Sequence, residues 1–295
     1  MISVLIASMG RPSLADTLAS VGSARIPEGE TLEVVIADDS IGGTVSDLVA
    51  GLDLPFATKV VRVGAQNVSL SRNACLEAAA GDWLIFVDDD ETVEPDWLEG
   101  HLSAARDFKA DAVFGPVYPR YPVGTPNWYV AANPLFQNWD WHEDGRPSHR
   151  GRTGNTLIRR ERLGDLRFDP AFGRSGGEDH DFFQRFLAAG HHMVVTDRAK
   201  VHEFVPAERS EPGYVLKRAV RTGQLYALMH LNGQGPVVRF VFALDAAAKW
   251  LAASLFSMVL RPLSRARSFR FRVKASMNVG KLRGAFNANL LHAWS

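Results

Sequence analysis

Two groups of carboxylates carry the chemical signal in this chain of 295 residues. The first, Asp88-Asp89-Asp90, closes the apolar run Trp83–Val87. Consecutive carboxylates repel one another, and their cost stays high until a cation or hydrogen-bond donors neutralise them. Asp88 and Asp90 form an Asp-x-Asp, and a hard divalent ion such as Mg²⁺ takes one or two carboxylates plus substrate phosphates. The second group, Gly176-Gly177-Glu178-Asp179-His180-Asp181, opens a helical stretch that runs to Leu187. Its glycines let the backbone approach a ligand, and a helix N-terminus favours anions. A carboxylate placed there can take a proton from a hydroxyl. Each group also has a plainer reading. Asp after a strand caps a turn, and acidic residues complement the dipole of any helix start.

The elements around these groups alternate between two periods. Val4–Ala7, Glu33–Ala37, Lys59–Val63 and Trp83–Val87 are short apolar runs that read as strands. Between them, Leu14, Leu18 and Val21, then Val45, Leu48 and Val49, and then Ser71–Ala80 have helical spacing, with Ser69 or Ser71 available as the N-cap of the third helix. Strands alternating with helices predict an α/β fold with a largely parallel sheet covered on both faces. Ligands of such sheets bind beyond the carboxyl ends of the strands. Asp38-Asp39 and Asp88–Asp90 both fall there. Gly154–Arg160 predicts a further strand on the floor of the site, where Asn155 either bonds a sugar hydroxyl or serves a turn. From Tyr118 to Trp141, prolines and aromatics without periodicity predict an ordered loop. Its rings either carry a sugar face or pack locally.

Composition excludes several classes. With 46% hydrophobic and 22% charged residues, the chain is neither disordered nor low-complexity. Cys75, the single cysteine, has no partner for an internal disulfide and reads as a small buried residue in a reducing compartment. His191-His192 lacks metal-ligand spacing and reads as surface. Met1–Ala7 lacks a basic leader and is cut short by Gly10-Arg11-Pro12, so the body is expected to stay in the cytoplasm. The formal net charge of zero is unevenly distributed. All residues from Ala246 onward include nine Lys/Arg and no Asp/Glu, which leaves the rest at −9. An acidic body with a basic tail points to an anionic surface.

Over about residues 2–205 the chain resembles the inverting, metal-dependent nucleotide-sugar glycosyltransferases of family 2, which have the GT-A fold. The resemblance is carried by Ala7-Ser8-Met9-Gly10-Arg11, Val35-Ile36-Ala37-Asp38-Asp39-Ser40 and Gln66-Asn67-Val68-Ser69-Leu70-Ser71-Arg72-Asn73. It continues through Gly81-Asp82-Trp83-Leu84-Ile85-Phe86-Val87-Asp88-Asp89-Asp90 to Gly177-Glu178-Asp179. Met9 departs from the Thr-Tyr-Asn-Arg form of the first motif. The resemblance implies that Asp38 or Asp39 recognises the uracil or ribose of a UDP-sugar. It puts Arg72, Asn73, Asp88, Asp89 and Arg11 around that donor. It makes Asp88 and Asp90 the Asp-x-Asp that holds Mg²⁺ or Mn²⁺, with Asp90 the direct ligand, and puts His202 where relatives place another metal or diphosphate contact. Asp179 becomes the general base, supported by Glu178. Asp181, pointing about 200° away on a helix, ranks second. Val205-Pro206-Ala207-Glu208-Arg209 and the segment from Arg218 to Gly223 resemble the subset that builds bacterial exopolysaccharides, including succinoglycan-type glucosyltransferases.

These readings divide the chain into a nucleotide-sugar-binding and catalytic domain, 1–210, and a helical, basic, membrane-associating extension, 211–295. Phe240–Leu260 approaches the length of a membrane span, although Asp245 and Lys249 interrupt it. The basic stretch after it suits a membrane interface; a core helix followed by a solvated helix is the alternative. The expected activity is transfer of a hexose such as glucose to a lipid-linked oligosaccharide or glycan acceptor. The expected location is the cytoplasmic face of the cell membrane, peripheral or single-span. A nucleotidyltransferase would need a Gly-rich phosphate loop after the first strand and would leave Glu178-Asp179 without a role. A saccharide-binding module without catalysis is the other alternative. Nucleic acid is not an expected partner, because the body lacks basic patches interleaved with aromatics.

Overall fold

A computed structural model describes residues 1–286 of the chain; residues 287–295, the end of the expected basic extension, lie outside the described residues. The chain divides into two units. One comprises Met1–Tyr118 and Gln137–Glu203; the other comprises Pro119–Phe136 and the chain from Phe204 onward.

The first unit is built on a sheet of seven strands. In chain order its elements are β1 (Ile2–Ser8), α1 (Ser13–Ser23), β2 (Leu32–Asp38), α2 (Thr44–Ala50), β3 (Ala57–Arg62), α3 (Val68–Ala78), β4 (Trp83–Phe86), β5 (Glu91–Val93), α4 (Trp97–Asp107) and β6 (Ala112–Phe114). After β7 (Val117–Arg120), and after α5 (Asn127–Ala132), which belongs to the second unit, come β8 (Thr156–Arg159), α6 (Glu178–Ala188), β9 (Met193–Val195) and β10 (Val201–Phe204). The sheet order is β3-β2-β1-β4-β8-β6-β9, with β5, β10 and β7 in a smaller sheet. β1 pairs in parallel with β2 and β4, and β8 runs antiparallel to both of its neighbours, β4 and β6. This is the expected α/β architecture. Val4, Ile6, Val34 and Ile36 are fully buried together with Leu14 and Leu18 of α1, which is why β1 and β2 are continuous apolar runs. Their register puts Ser8 beside Asp38 at the carboxyl edge.

Two local expectations change. α3 begins at Val68, earlier than Ser71, because Asn67 caps it: its Oδ1 accepts from Ser69 N at 3.1 Å and Leu70 N at 3.2 Å. Ser69 and Ser71 are buried inside the helix. The segment 118–141 is not a loop throughout, since it holds the end of β7 and the short helix α5. Its rings give α5 a packing partner that periodicity cannot register over so few residues. Tyr129 is buried against Tyr121, Trp128 and Phe269.

The second unit contains three further helices, α7 (Pro212–His230), α8 (Pro236–Leu260) and α9 (Arg265–Ala285). Pro212 and Pro236 occupy first turns, where a missing N–H costs nothing. α7 and α9 approach closely because glycines face each other. A Cβ on Gly280 would lie 1.9 Å from the Val220 carbonyl, and one on Gly223 would lie 1.9 Å from the Met277 carbonyl. α8, with a mean hydropathy of 1.4, is the one helix among the described residues long and apolar enough to cross a membrane.

Candidate active site

The carboxyl edge of the large sheet gathers the sequence-predicted carboxylates. β4 ends at Phe86 and delivers Asp88; β8, running the other way, begins at Thr156, so the preceding residues 152–155 arrive at the same edge. α6 starts at Glu178 after Gly176 and Gly177, both in the left-handed region at φ 81° and 100°. A side chain at either position would be strained, and the turn is what aims Glu178 and Asp179 at the sheet edge.

Arg72, on α3, joins the groups. Its Nη1 donates to Glu178 Oε1 at 2.7 Å and to Asp179 Oδ1 at 2.8 Å, and its Nη2 lies 3.8 Å from Asp88 Oδ1. The guanidinium also stands over the Phe168 ring, 5.6 Å from its centroid. Arg72 is buried. Burial disfavours its charge, but Asp179, Glu178 and Asp88 outweigh that, so it holds its proton more tightly than usual. Glu178 shows the other side of the pairing. Its burial, with Asp179 beside it, raises its proton affinity despite Arg72, and its Oε2 is buried with no hydrogen-bond partner. Desolvation and the neighbouring Asp179 together outweigh the attraction of Arg72 at Glu178.

Asp179 is the more open of the two, with 27% of its side chain exposed against 11% for Glu178. Its Oδ1 also accepts from Thr153 Oγ1 at 2.9 Å. Among the described residues no hydrogen bond uses its Oδ2. Asp181 takes a separate position: its Oδ2 accepts from Nε of Arg185 at 2.9 Å and from Nη2 of the same residue, one helical turn on.

The Asp triplet divides its labour. Asp88 is half exposed, and its backbone N donates to Glu91 Oε2 at 3.0 Å. Its proton affinity is raised by desolvation and by Asp90 and Asp179, with Arg72 opposing. Asp89 is buried. Its Oδ2 accepts from Ser8 Oγ at 2.7 Å and its Oδ1 from Arg11 Nη1 at 3.1 Å. The same Arg11 nitrogen donates to Asp90 Oδ2 at 3.0 Å. Arg11 is therefore the donor that offsets part of the triplet's repulsion. Glu91 is buried and pushed well up, first by burial and then by Asp88.

Asp38 and Asp39 separate as well. Asp39 is fully engaged, with Oδ1 accepting from the backbone N–H of Ala65 and Gln66 and Oδ2 from that of Asn67, all within 2.7 Å. It folds the loop into α3. Asp38 Oδ1 accepts from Ser40 N, Ser40 Oγ and Arg62 Nη1, but its buried Oδ2 has no hydrogen-bond partner.

Three expected residues lie elsewhere or act structurally. His202, on β10, has Nε2 2.9 Å from Glu94 Oε1; among the described residues no three His, Cys, Asp or Glu side chains form a preformed metal cluster. Asn73 donates to the Phe168 carbonyl and accepts from the Phe168 N–H, both at 2.8 Å, a backbone clamp. Asn155 is fully buried at φ 57°. Its Oδ1 accepts from Trp97 Nε1 and meets His101 Nε2, and its Nδ2 donates to the Pro116 and Ala199 carbonyls. No capacity is left there for a sugar. Two residues went unnoticed in the sequence. Thr153 bonds Asp179. Arg152 lies near Glu91 and Asp88, its Nε and Nη2 buried without partners and its proton affinity lowered by burial. The only signal for either was their place in Gly151-Arg152-Thr153-Gly154. A hollow of about 620 Å³ lined by Trp83, Arg159 and Arg167 sits at the opposite end of β4 and contains none of the site residues.

The profile described as Glycosyl transferase family 2 matches residues 3–167. Succinoglycan biosynthesis protein ExoM of Rhizobium meliloti is 36% identical over 96% of this chain and 92% of its own length. Succinoglycan biosynthesis protein ExoO of the same organism is 35% identical, but over 31% of this chain and 26% of its own. Among solved structures, S. aureus TarS 1-349 in complex with UDP superposes with a TM-score of 0.54 at 16% identity, covering 96% of this chain and 90% of that one. Its complex with UDP-GlcNAc gives 0.53 at 16% identity, covering 97% and 92%. At that identity the likeness is one of fold, the GT-A arrangement expected from the motifs. The matched profile over the strand-edge motifs, and the relative that spans almost the whole length, show that the chain belongs to glycosyl transferase family 2.

Proposed function

We propose that this enzyme transfers a hexosyl group, with inversion, from a UDP-sugar to a hydroxyl of a lipid-linked or glycan acceptor in exopolysaccharide assembly. The observation that carries the reading is the Arg72 bridge, which draws Asp88 and Glu178-Asp179 into one cluster at the carboxyl edge of the sheet. An inverting transfer needs a base on one side of the anomeric carbon and charge neutralisation on the other. UDP bound by TarS supports the donor, and the succinoglycan role in the name of ExoM supports exopolysaccharide assembly.

Asp179 is the base in this reading. The acceptor oxygen bonds to the anomeric carbon as the bond to the diphosphate oxygen breaks, and the hydroxyl proton passes to Asp179 Oδ2. Arg72 and Thr153 hold Oδ1, which fixes the carboxylate and leaves Oδ2 for the acceptor. Glu178 anchors Arg72. Asp38 Oδ2, buried and without a partner, is suited to the uracil or ribose, and Asp39 shapes that loop. Asp88 and Asp90 fit a divalent cation. They offer hard oxygens, Asp88 opens to solvent, and the bare backbone of Gly154 leaves room beside it. Mg²⁺ or Mn²⁺ held there, with donor phosphates completing its shell, would neutralise the leaving diphosphate. The 25-residue apolar helix α8 supports work at the cytoplasmic membrane face, where a lipid-linked acceptor resides.

The test is Asp179→Asn with UDP-hexose donors. Donor affinity should persist while turnover falls by about 10²-fold or more. A small fall would move the base to Asp181.

A further inference from the structure

α8 has a face without a partner. At 100° per residue, Val237, Val241, Leu244, Leu251, Leu255 and Met258 fall within an arc of about 100°. Each is more than half exposed. The opposite face, with Ala246, Ala253 and Ser257, is buried toward α9. An outward apolar stripe of this length exceeds what scattered surface residues explain.

Beside the stripe, and sharing Met258 with it, is a cavity of about 730 Å³ lined by Arg261, Arg265, Arg272 and serines of α8 and α9, with no acidic residue in its wall. Among the described residues, no carboxylate pairs with any of these three arginines. Arg265 stands over the Trp128 ring, 5.0 Å from its centroid. α9 adds Arg267, Lys274, Lys281 and Arg283, and it too has no acidic residue. Unpaired arginine is the side chain best suited to phosphate oxygens, and the cavity has the size of a small-molecule site.

We propose that α8 lies in the interfacial plane of an anionic bilayer, stripe inward, and that the arginine cavity receives the phosphate of a lipid headgroup. Charge complementarity selects this occupant. A second copy of the chain would bring the same positive charge to the same face. The inference rests on the reading that the acceptor is lipid-linked, and it assigns the surface that brings the enzyme to it.

Vesicle co-sedimentation of the full chain tests it, with UDP titration of the same samples. The protein should bind vesicles containing phosphatidylglycerol and not those of phosphatidylcholine alone, and carbonate should release it. Arg261→Gln/Arg265→Gln/Arg272→Gln should weaken vesicle binding on the order of 100-fold, each cation contributing roughly a factor of five. Arg267→Gln/Lys274→Gln/Arg283→Gln removes equal charge outside the cavity and should weaken it several-fold less. Equal losses in the two triples would overturn the headgroup site. Equal binding to neutral vesicles, or resistance to carbonate, would overturn the interfacial helix. Concentration-dependent dimers dispersed by Leu251→Asn/Leu255→Asn would assign the stripe to a second copy and overturn the proposal. UDP affinity should be unchanged in both triples. Wild-type protein that bound vesicles but no UDP would sink the donor reading and leave the surface intact.

Discussion

Replacing Arg72 with Met tests whether the site is organised by a buried cation. Arg72 contributes two charge-assisted hydrogen bonds, 2.7 and 2.8 Å long, to carboxylates whose side chains are 11% and 27% exposed. Methionine keeps much of the side-chain volume against Phe168 but removes the charge. Breaking a buried pair by deleting one partner costs about 3–5 kcal/mol, because the survivors stay buried without compensation. The loss should also depend on pH. Glu178 already binds its proton more tightly than usual, through burial first and then Asp179, and Arg72 is what opposes the rise. A carboxyl whose native proton affinity exceeds its unfolded value loses stability as pH rises from about 4.3 through the native value. Without Arg72 that native value climbs, so the window widens upward. Urea unfolding of Arg72→Met should therefore show a larger deficit at pH 8 than at pH 5, and Arg72→Met/Glu178→Gln should recover part of it. A deficit under 1 kcal/mol at both pH values would refute the argument and return Arg72 to a purely donor-binding role.

Asp90→Ala should abolish the Mn²⁺-dependent part of UDP affinity in titration calorimetry, since the cation would lose a carboxylate; unchanged affinity would exclude it as a ligand. Asn155→Ala should destabilise the fold by about 3 kcal/mol or more in chemical denaturation, because it strips partners from Trp97, His101 and two buried carbonyls. Gly280→Leu should unfold the second unit, seen as lost α-helical circular dichroism, because the Val220 carbonyl already occupies the space of a Cβ. Cys75, buried and with its thiol pushed up to about 12 by desolvation, should react with a thiol reagent only on unfolding; rapid labelling of native protein would contradict that.

The sequence determined what depends on neighbours along the chain. Short apolar runs alternating with helical spacing define a parallel sheet, because strands buried on both faces need no polar alternation. Carboxylates directly after those runs had to reach its carboxyl edge, and the ordered motifs carried the family. Tertiary structure decided the rest. Asp38 and Asp39 are adjacent and chemically alike, yet one is consumed by the amides of Ala65, Gln66 and Asn67 while the other keeps a buried oxygen without a partner. Arg72 and Glu178 are 106 positions apart, and no local pattern announces their contact. Asn155 resembled a polar site residue until burial assigned all its hydrogen bonds. α5 was hidden because its six residues are helical through packing against Phe269, on a segment far along the chain. Periodicity reports only which side of an element is apolar. Hydrogen-bond partners and desolvation depend on which distant segments arrive beside it, and those set the role of each carboxylate.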